Sequence, residues 1–366
     1  SMLLLSMLRT TNSSSINFST MYFGVPAIGA HLVIITLILS IMFLFKYKGK
    51  MWTALIIDAI ITLLFIADIW YYRNNGTFLS IRHLLHPEIF NPIGKNLINF
   101  RPVDLLFVID FIVFFILFKF DKLRKYNDNS RLSLRILKTV IVFSLSALII
   151  FISHYIIDIK GTIPGQSFLR LSWAPFQTFS DMSPLGYHGF DLKYFVGRNK
   201  ELSDSDINDV QSWINNNKED IPDNEYFGML KGKNLIAIQV ESLENFVINK
   251  KVYGQEITPT LNKLLSGSLY FDNIYEQNNS GTSSDCDLMV NTSIFPIRAT
   301  STFPTYPWTK YNSLQNILNN EGYTTISTHA ELPGSWNWAE PHKSFGADKL
   351  WDINEFNIDE VIGPGL

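Results

Sequence analysis

The sequence predicts an α-helical multi-pass membrane bundle followed by an α/β domain on the outer side of the membrane. Three observations carry this. Four apolar stretches of membrane-spanning length lie before residue 158. The connections between them alternate between rich and poor in lysine and arginine. After residue 226, short apolar runs alternate with helical patterns. Composition agrees, with 47% hydrophobic and only 17% charged residues, against about 25% charged in an ordinary soluble protein. With a net charge of −3, no nucleic-acid affinity is indicated. A single cysteine, Cys286, excludes an intramolecular disulfide and a cysteine-rich metal site.

The predicted spans are 27–45, 51–72, 103–120 and 136–157. Each is close to the ~20 helical residues that cross a ~30 Å hydrocarbon core. Trp52, Trp70, Tyr71 and Tyr72 stand near span ends, where aromatic rings favour the interface. The first connection holds Lys46, Lys48 and Lys50, and the third holds Lys119, Lys122, Arg124, Lys125, Arg131, Arg135 and Lys138. The longer middle one has only Arg73, Arg82, Lys95 and Arg101. The basic connections face the cytoplasm, which puts everything after residue 158 outside the cell. The apolar opening, residues 1–8, is too short to span, and is either the tail of a further span or an expression scar. Asp58 and Asp110, inside spans, are functional groups or partners in an interhelical hydrogen bond; the sequence favours the latter.

Residues 158–199 mix aromatic and polar side chains (Trp173, Phe176, Tyr187, His188, Tyr194), as a segment lying on the membrane surface does. Residues 201–225 are polar and acidic, with a helical stripe through Ile207, Val210, Trp213 and Ile214, and form a tether. The domain division is therefore 1–157, 158–225 and 226–366. In the last part, 234–240 is a candidate buried parallel strand. Thr258-Pro259 then starts a helix with Leu261, Leu264 and Leu265 on one face. Residues 269–274 form a second candidate strand, 312–321 a helix stopped by Gly322, and 323–328 a third strand. Such alternation implies an α/β sheet.

Ligands of such sheets gather at the carboxyl ends of strands. Glu241 follows the first strand, and is either a ligand for a hard cation or a solvated strand-end acid. Ser280-Gly-Thr-Ser-Ser-Asp285 precedes a helical run. It offers hydroxyls beside amides that could bind phosphate, or a simple helix N-cap. A hydroxyl becomes a competent nucleophile only when a metal or base activates it. His329, after the third strand, could donate to a phosphate or fill a core position.

Together these segments resemble the lipoteichoic acid synthase family, of the alkaline phosphatase and sulfatase superfamily. The resemblance runs through residues 233–264 (KNLIAIQVESLENFVINKKVYGQEITPTLNKL), 277–295, His329, Trp336-Asn337 and Lys343-Ser-Phe-Gly-Ala-Asp-Lys349. It includes Trp70-Tyr-Tyr-Arg and Asp104-Leu-Leu-Phe-Val-Ile-Asp110 in the membrane part. It implies a cell-membrane enzyme with an extracellular catalytic domain. That enzyme takes glycerol phosphate from phosphatidylglycerol and passes it to a lipid-anchored polymer acceptor, through a hydroxyl activated by a manganese-type ion (or another divalent cation such as Mg2+ or Zn2+). By position Glu241 is a metal ligand, and Ser283 is the nucleophile and a metal ligand, with Thr282 the alternative nucleophile. His329, Glu331 and Trp336 are placed at the head-group site.

Three departures stand out. Glu331 replaces the family's usual aspartate, and Trp338 replaces its phosphate-binding arginine, a bidentate donor that tryptophan cannot imitate. The Asp-His pair that completes the family's metal site is absent from these residues. With about 140 residues of outer domain, the sequence is expected to be a fragment cut at both ends and inactive alone. The alternatives are a phosphoethanolamine transferase or sulfatase of the same superfamily, and a non-catalytic membrane-anchored binding protein. The sulfatase lacks its Cys/Ser-x-Pro-x-Arg signature here.

Overall fold

The computed structural model describes residues 1–8, 10, 13–18, 25–84, 91, 96–119, 130–162, 168–169, 175–198, 202–279, 281–298 and 301–359. They form two compact units, Ser1–Val196 with Asn278–Leu366, and Gly197–Gln277.

The first unit begins with α1 (Met2–Leu8), α2 (Val25–Leu39, extended by a 3-10 segment, Ser40–Leu44) and α3 (Tyr47–Asn75). A 3-10 segment, Pro102–Val108, leads into α4 (Ile109–Lys119). Then come α5 (Leu132–His154, closing in a π turn, Tyr155–Ile159), α6 (Pro175–Met182) and α7 (Pro184–Arg198). Among the described residues, three stretches are long and apolar enough to cross a membrane: Ala27–Leu44, Tyr47–Asn75 and Leu132–Ile159. They match three of the four predicted spans. The fourth, 103–120, is the 3-10 segment plus α4, and its last residue lies outside the described set along with 121–129.

These segments are helical because lipid offers no partner to backbone N–H and C=O groups, and a helix satisfies them internally. Leu137, Phe143 and Phe151 of α5 are exposed, as lipid-facing side chains are. Gly76 ends α3 with a left-handed φ of 72°, its N–H returning to the Tyr72 carbonyl. The opening segment is a core element: Leu4, Leu5 and Met7 are buried against Phe65, Ile69, Phe78 and Phe179. Charges inside this half are paired, since a lone ion at low dielectric is costly. Arg73 grips both oxygens of Asp104 at 2.6 and 2.8 Å, and Trp70 Nε1 donates to the same carboxylate at 2.9 Å. His188 meets Asp68 at 2.8 Å.

The second unit holds α8 (Asp204–Asn217), capped reciprocally by Ser203 and Asp206. A hairpin joins β1 (Lys251–Val252) to β2 (Gln255–Glu256) through Tyr253 and Gly254, both at positive φ as a tight hairpin turn demands. Proline opens α9 (Pro259–Leu265), as expected from Thr258-Pro259. The two candidate strands of this region are not in a sheet. Residues 234–240 and 269–274 belong to no ladder among the described residues, and Ile236 and Ile274 are 82% and 78% exposed. A parallel strand exists only between neighbours that pair with it and layers that cover it. An apolar run does not supply them.

The first unit resumes with α10 (Ser283–Thr292), α11 (Thr302–Thr305) and α12 (Leu314–Asn320). Ser313 caps α12 by accepting from the Asn316 amide, and Gly322, at φ 85°, follows its end. Then β3 (Ile326–Thr328) pairs in parallel with β4 (Lys349–Trp351), the crossover running through α13 (Ala339–Ser344). The third predicted strand is thus present, shortened to three residues.

Candidate functional site

The start of α10 is set by an unusual backbone. Thr282 has φ 50° and ψ −118°, a region that L-residues rarely enter. The Asp285 carboxylate holds the turn by accepting from the amides of Asn279 at 2.8 Å and Gly281 at 3.0 Å. Asp285 is fully buried, and burial pushes its carboxyl above the ordinary range despite those two amides. The Ser284 hydroxyl donates to the Gly281 carbonyl at 2.7 Å and is spent there. Thr282 is exposed, and Ser283, the first residue of the helix, is half-buried. The turn also uses two amides that the sequence offered to phosphate: Ser284 N–H goes to the Gly281 carbonyl and Asp285 N–H to that of Thr282, each at 3.1 Å.

His329 leaves the carboxyl end of β3, its amide continuing the ladder to Trp351 at 3.0 Å. Its Nδ1 accepts from the Glu331 amide at 3.2 Å, which leaves Nε2 as the proton-bearing nitrogen. Trp336 meets the imidazole edge-on, with centroids 5.6 Å apart, and Trp338 stacks on it at 5.5 Å and 20°. Trp336 and Asn337 both have positive φ, the sharp turn that brings the two indoles to one histidine. Trp338 is 1% exposed, and its indole N–H is satisfied by the Leu332 carbonyl at 3.1 Å. Trp338 thus presents an apolar wall to His329.

His342, which the sequence did not single out, links α10 to the Trp338 wall, and Glu340 anchors the Trp336 turn from outside the site. His342 Nε2 faces Asp287 Oδ2 of α10 at 3.5 Å, and its ring packs edge-on against Trp338 at 5.8 Å. Glu340, 2% exposed, takes Arg82 at 3.1 Å, His83 at 2.8 Å and Asn337 at 3.2 Å. Burial alone would raise its carboxyl; the pull of Arg82 and His83, with the hydrogen bonds from His83 and Asn337, outweighs burial and holds it down at about 2. In sequence, Glu340 and Arg82 look like any surface charge.

Glu241 belongs to the second unit, in an exposed turn, where the Ser242 hydroxyl approaches its carboxylate at 3.3 Å. Among the described residues no three His, Cys, Asp or Glu side chains converge as a metal site.

The family model for the lipoteichoic acid synthase N-terminal domain matches residues 2–203, more than half of the chain. The chain belongs to the lipoteichoic acid synthase family. Among curated members it is 30% identical to lipoteichoic acid synthase 2 of Bacillus subtilis (strain 168), over 87% of this chain and 48% of that one. It is 28% identical to the lipoteichoic acid synthase of Staphylococcus saprophyticus, over 89% and 50% of the two chains. For the Staphylococcus aureus (strain NCTC 8325 / PS 47) synthase the figures are 27%, 91% and 52%. The chain thus spans about half the length of these relatives. The crystal structure of the lipoteichoic acid synthase LtaP from Listeria monocytogenes aligns over 44% of this chain and 38% of its own, at 30% identity and a TM-score of 0.39.

Proposed function

We propose that the protein containing this chain transfers glycerol phosphate from phosphatidylglycerol to a growing polyglycerolphosphate chain outside the cell membrane. The observation that carries this is the turn at residues 281–285. It ties off Ser284, buries Asp285 and sets Ser283 as the first residue of α10. Membership of the lipoteichoic acid synthase family supplies the reaction class. Ser283 Oγ attacks the phosphorus of phosphatidylglycerol. The bond to the diacylglycerol oxygen breaks, that oxygen leaves with a proton, and Ser283 carries a glycerophosphoryl ester. The terminal hydroxyl of the acceptor then attacks the same phosphorus and regenerates Ser283. His329, donating through Nε2, and the Trp336 indole beside it form the head-group pocket, with Glu331 fixing the histidine through its amide. The membrane half is a four-span bundle with the outer segment on the extracellular face, in accord with the distribution of basic residues. The family resemblance also calls for manganese, whose binding is a separate measurement.

Ethanolamine phosphate transfer is a second reading, favoured by one observation. Trp338, which the family resemblance sets where a phosphate-binding arginine is expected, is a buried indole stacked on His329.

The test uses the full-length protein with manganese and fluorescent phosphatidylglycerol. Diacylglycerol release that is lost in Ser283→Ala and kept in Thr282→Ala supports both the transfer and the nucleophile. Loss only in Thr282→Ala keeps the transfer and moves the nucleophile by one residue. A wild type inert on phosphatidylglycerol but active on phosphatidylethanolamine establishes the second reading instead.

A further inference from the structure

Outside the candidate site, a buried charge cluster ties the outer segment of the first unit to its membrane half. Glu340, in the first turn of α13, has both carboxylate oxygens engaged: Oε1 by His83 Nε2 at 2.8 Å, Oε2 by Arg82 Nη2 at 3.1 Å. Arg82 and His83 lie in a 3-10 turn, Ile81–Leu84, in the connection that follows α3. The Arg82 guanidinium also donates to the Pro304 carbonyl at 2.9 Å and lies over the Trp308 ring at 5.6 Å. His83 Nδ1 accepts from the Ser80 amide at 3.2 Å, so its Nε2 bears the proton that points at Glu340. A second link lies close by. The Gly334 amide donates to the Asn75 carbonyl, and a side chain at Gly334 would collide with the backbone of Asn75, Gly76 and Thr77.

These links converge on the head-group turn. Asn337, which donates to Glu340 Oε2 at 3.2 Å, stands between Trp336 and Trp338 at a φ of 57°. On the other side, the connection carrying Arg82 and His83 begins at Gly76, where the apolar membrane-spanning helix Tyr47–Asn75 ends. A buried ion pair is a poor source of stability compared with apolar packing, and what it adds is a defined register.

We propose that Glu340 is a positioning residue: through Arg82 and His83 it holds the Trp336 turn at one height above the bilayer, where the site meets the phosphodiester of a lipid still embedded in the membrane. This rests on the phosphatidylglycerol reading given above. Once the tie is cut, a substrate that diffuses to the site is still processed, whereas a substrate held at fixed depth is missed.

The experiment compares wild type, Glu340→Gln, Arg82→Ala and Arg82→Lys in the full-length protein with manganese. Two substrates are used: phosphatidylglycerol in vesicles and water-soluble bis(p-nitrophenyl) phosphate. Hydrogen exchange of residues 77–84 and 334–340 is followed in the same samples. A displacement of about an ångström costs up to about a hundredfold in rate, so a loss of about tenfold or more in kcat on vesicles is expected for Glu340→Gln and Arg82→Ala, with the soluble diester within about twofold. Exchange should rise in both segments together, and Arg82→Lys should recover much of the vesicle activity. Equal losses on both substrates, no loss on either, or unchanged exchange would overturn the proposal. A wild type inert toward phosphatidylglycerol removes the transferase reading alone. Coupled loosening of the two segments then still supports the tie, and independent loosening refutes it.

Discussion

Glu340→Gln keeps the shape of the side chain and removes its charge, so it isolates what the carboxylate contributes to stability. In the fold that carboxyl is held at about 2 against an ordinary 4.5, because Arg82, His83 and Asn337 together overcome the opposing effect of burial. At about 1.4 kcal/mol per unit, this corresponds to about 3 kcal/mol favouring the ionised form in the folded state. The same size follows independently from removing one member of a buried pair, about 3–5 kcal/mol, since Arg82 would be left uncompensated. Because the folded value lies below the unfolded one, the contribution is complete above about pH 4.5 and is lost as pH falls towards about 2. Glu340→Gln should therefore be less stable than wild type by about 3 kcal/mol at pH 7. The difference should shrink through the acid window and close near its lower end. Urea unfolding in detergent, followed by tryptophan fluorescence at a series of pH values from neutral to acid, measures it directly. A gap that stays constant down to the acid end, or no gap at neutral pH, would refute the assignment of Glu340 as a buried, paired carboxylate.

Trp338→Ala should lower stability by about 3–5 kcal/mol, the range for emptying a buried aromatic site, and should release the stacked His329 ring; a thermal melt and histidine NMR report the two effects. Gly334→Ala should cost about 1–3 kcal/mol through overpacking against the end of α3, with exchange at residues 334–340 rising while α5 stays protected. Asp285→Asn should weaken the turn by about 1.5–3 kcal/mol, the value of hydrogen bonds to a charged acceptor, and should reduce diacylglycerol release at least about tenfold by displacing Ser283. An Asp285→Asn protein that releases diacylglycerol at the wild-type rate would show that the turn does not govern the nucleophile.

The membrane helices were legible because lipid leaves a chain few choices: about 20 apolar residues in a row have one stable form there. Local signals served equally well for α9, from Thr258-Pro259, and for α12, from Gly322. His329 was found because it follows an apolar run that does become β3. Two other apolar runs, 234–240 and 269–274, look the same in sequence and are in no ladder, since pairing depends on what lies alongside. The charged ties escaped notice for a related reason. Nothing in the letters Arg82, His83 and Glu340 distinguishes a buried, mutually satisfied set from three surface charges. Nor could sequence foresee the positive φ at Thr282, a conformation rare enough for threonine that no pattern announces it.

The contact between Gly334 and Asn75 sets an order on synthesis. The last carbonyls of α3 have no partner within their own helix, and one of them is capped by an amide more than two hundred residues further along the chain. At about 5–20 residues per second, that amide leaves the ribosome roughly 10 to 50 s after the helix it caps. For that interval the carboxyl end of α3 lacks the amide that caps it. The helical half is thus made early and completed late, by a segment that leaves the ribosome long after it.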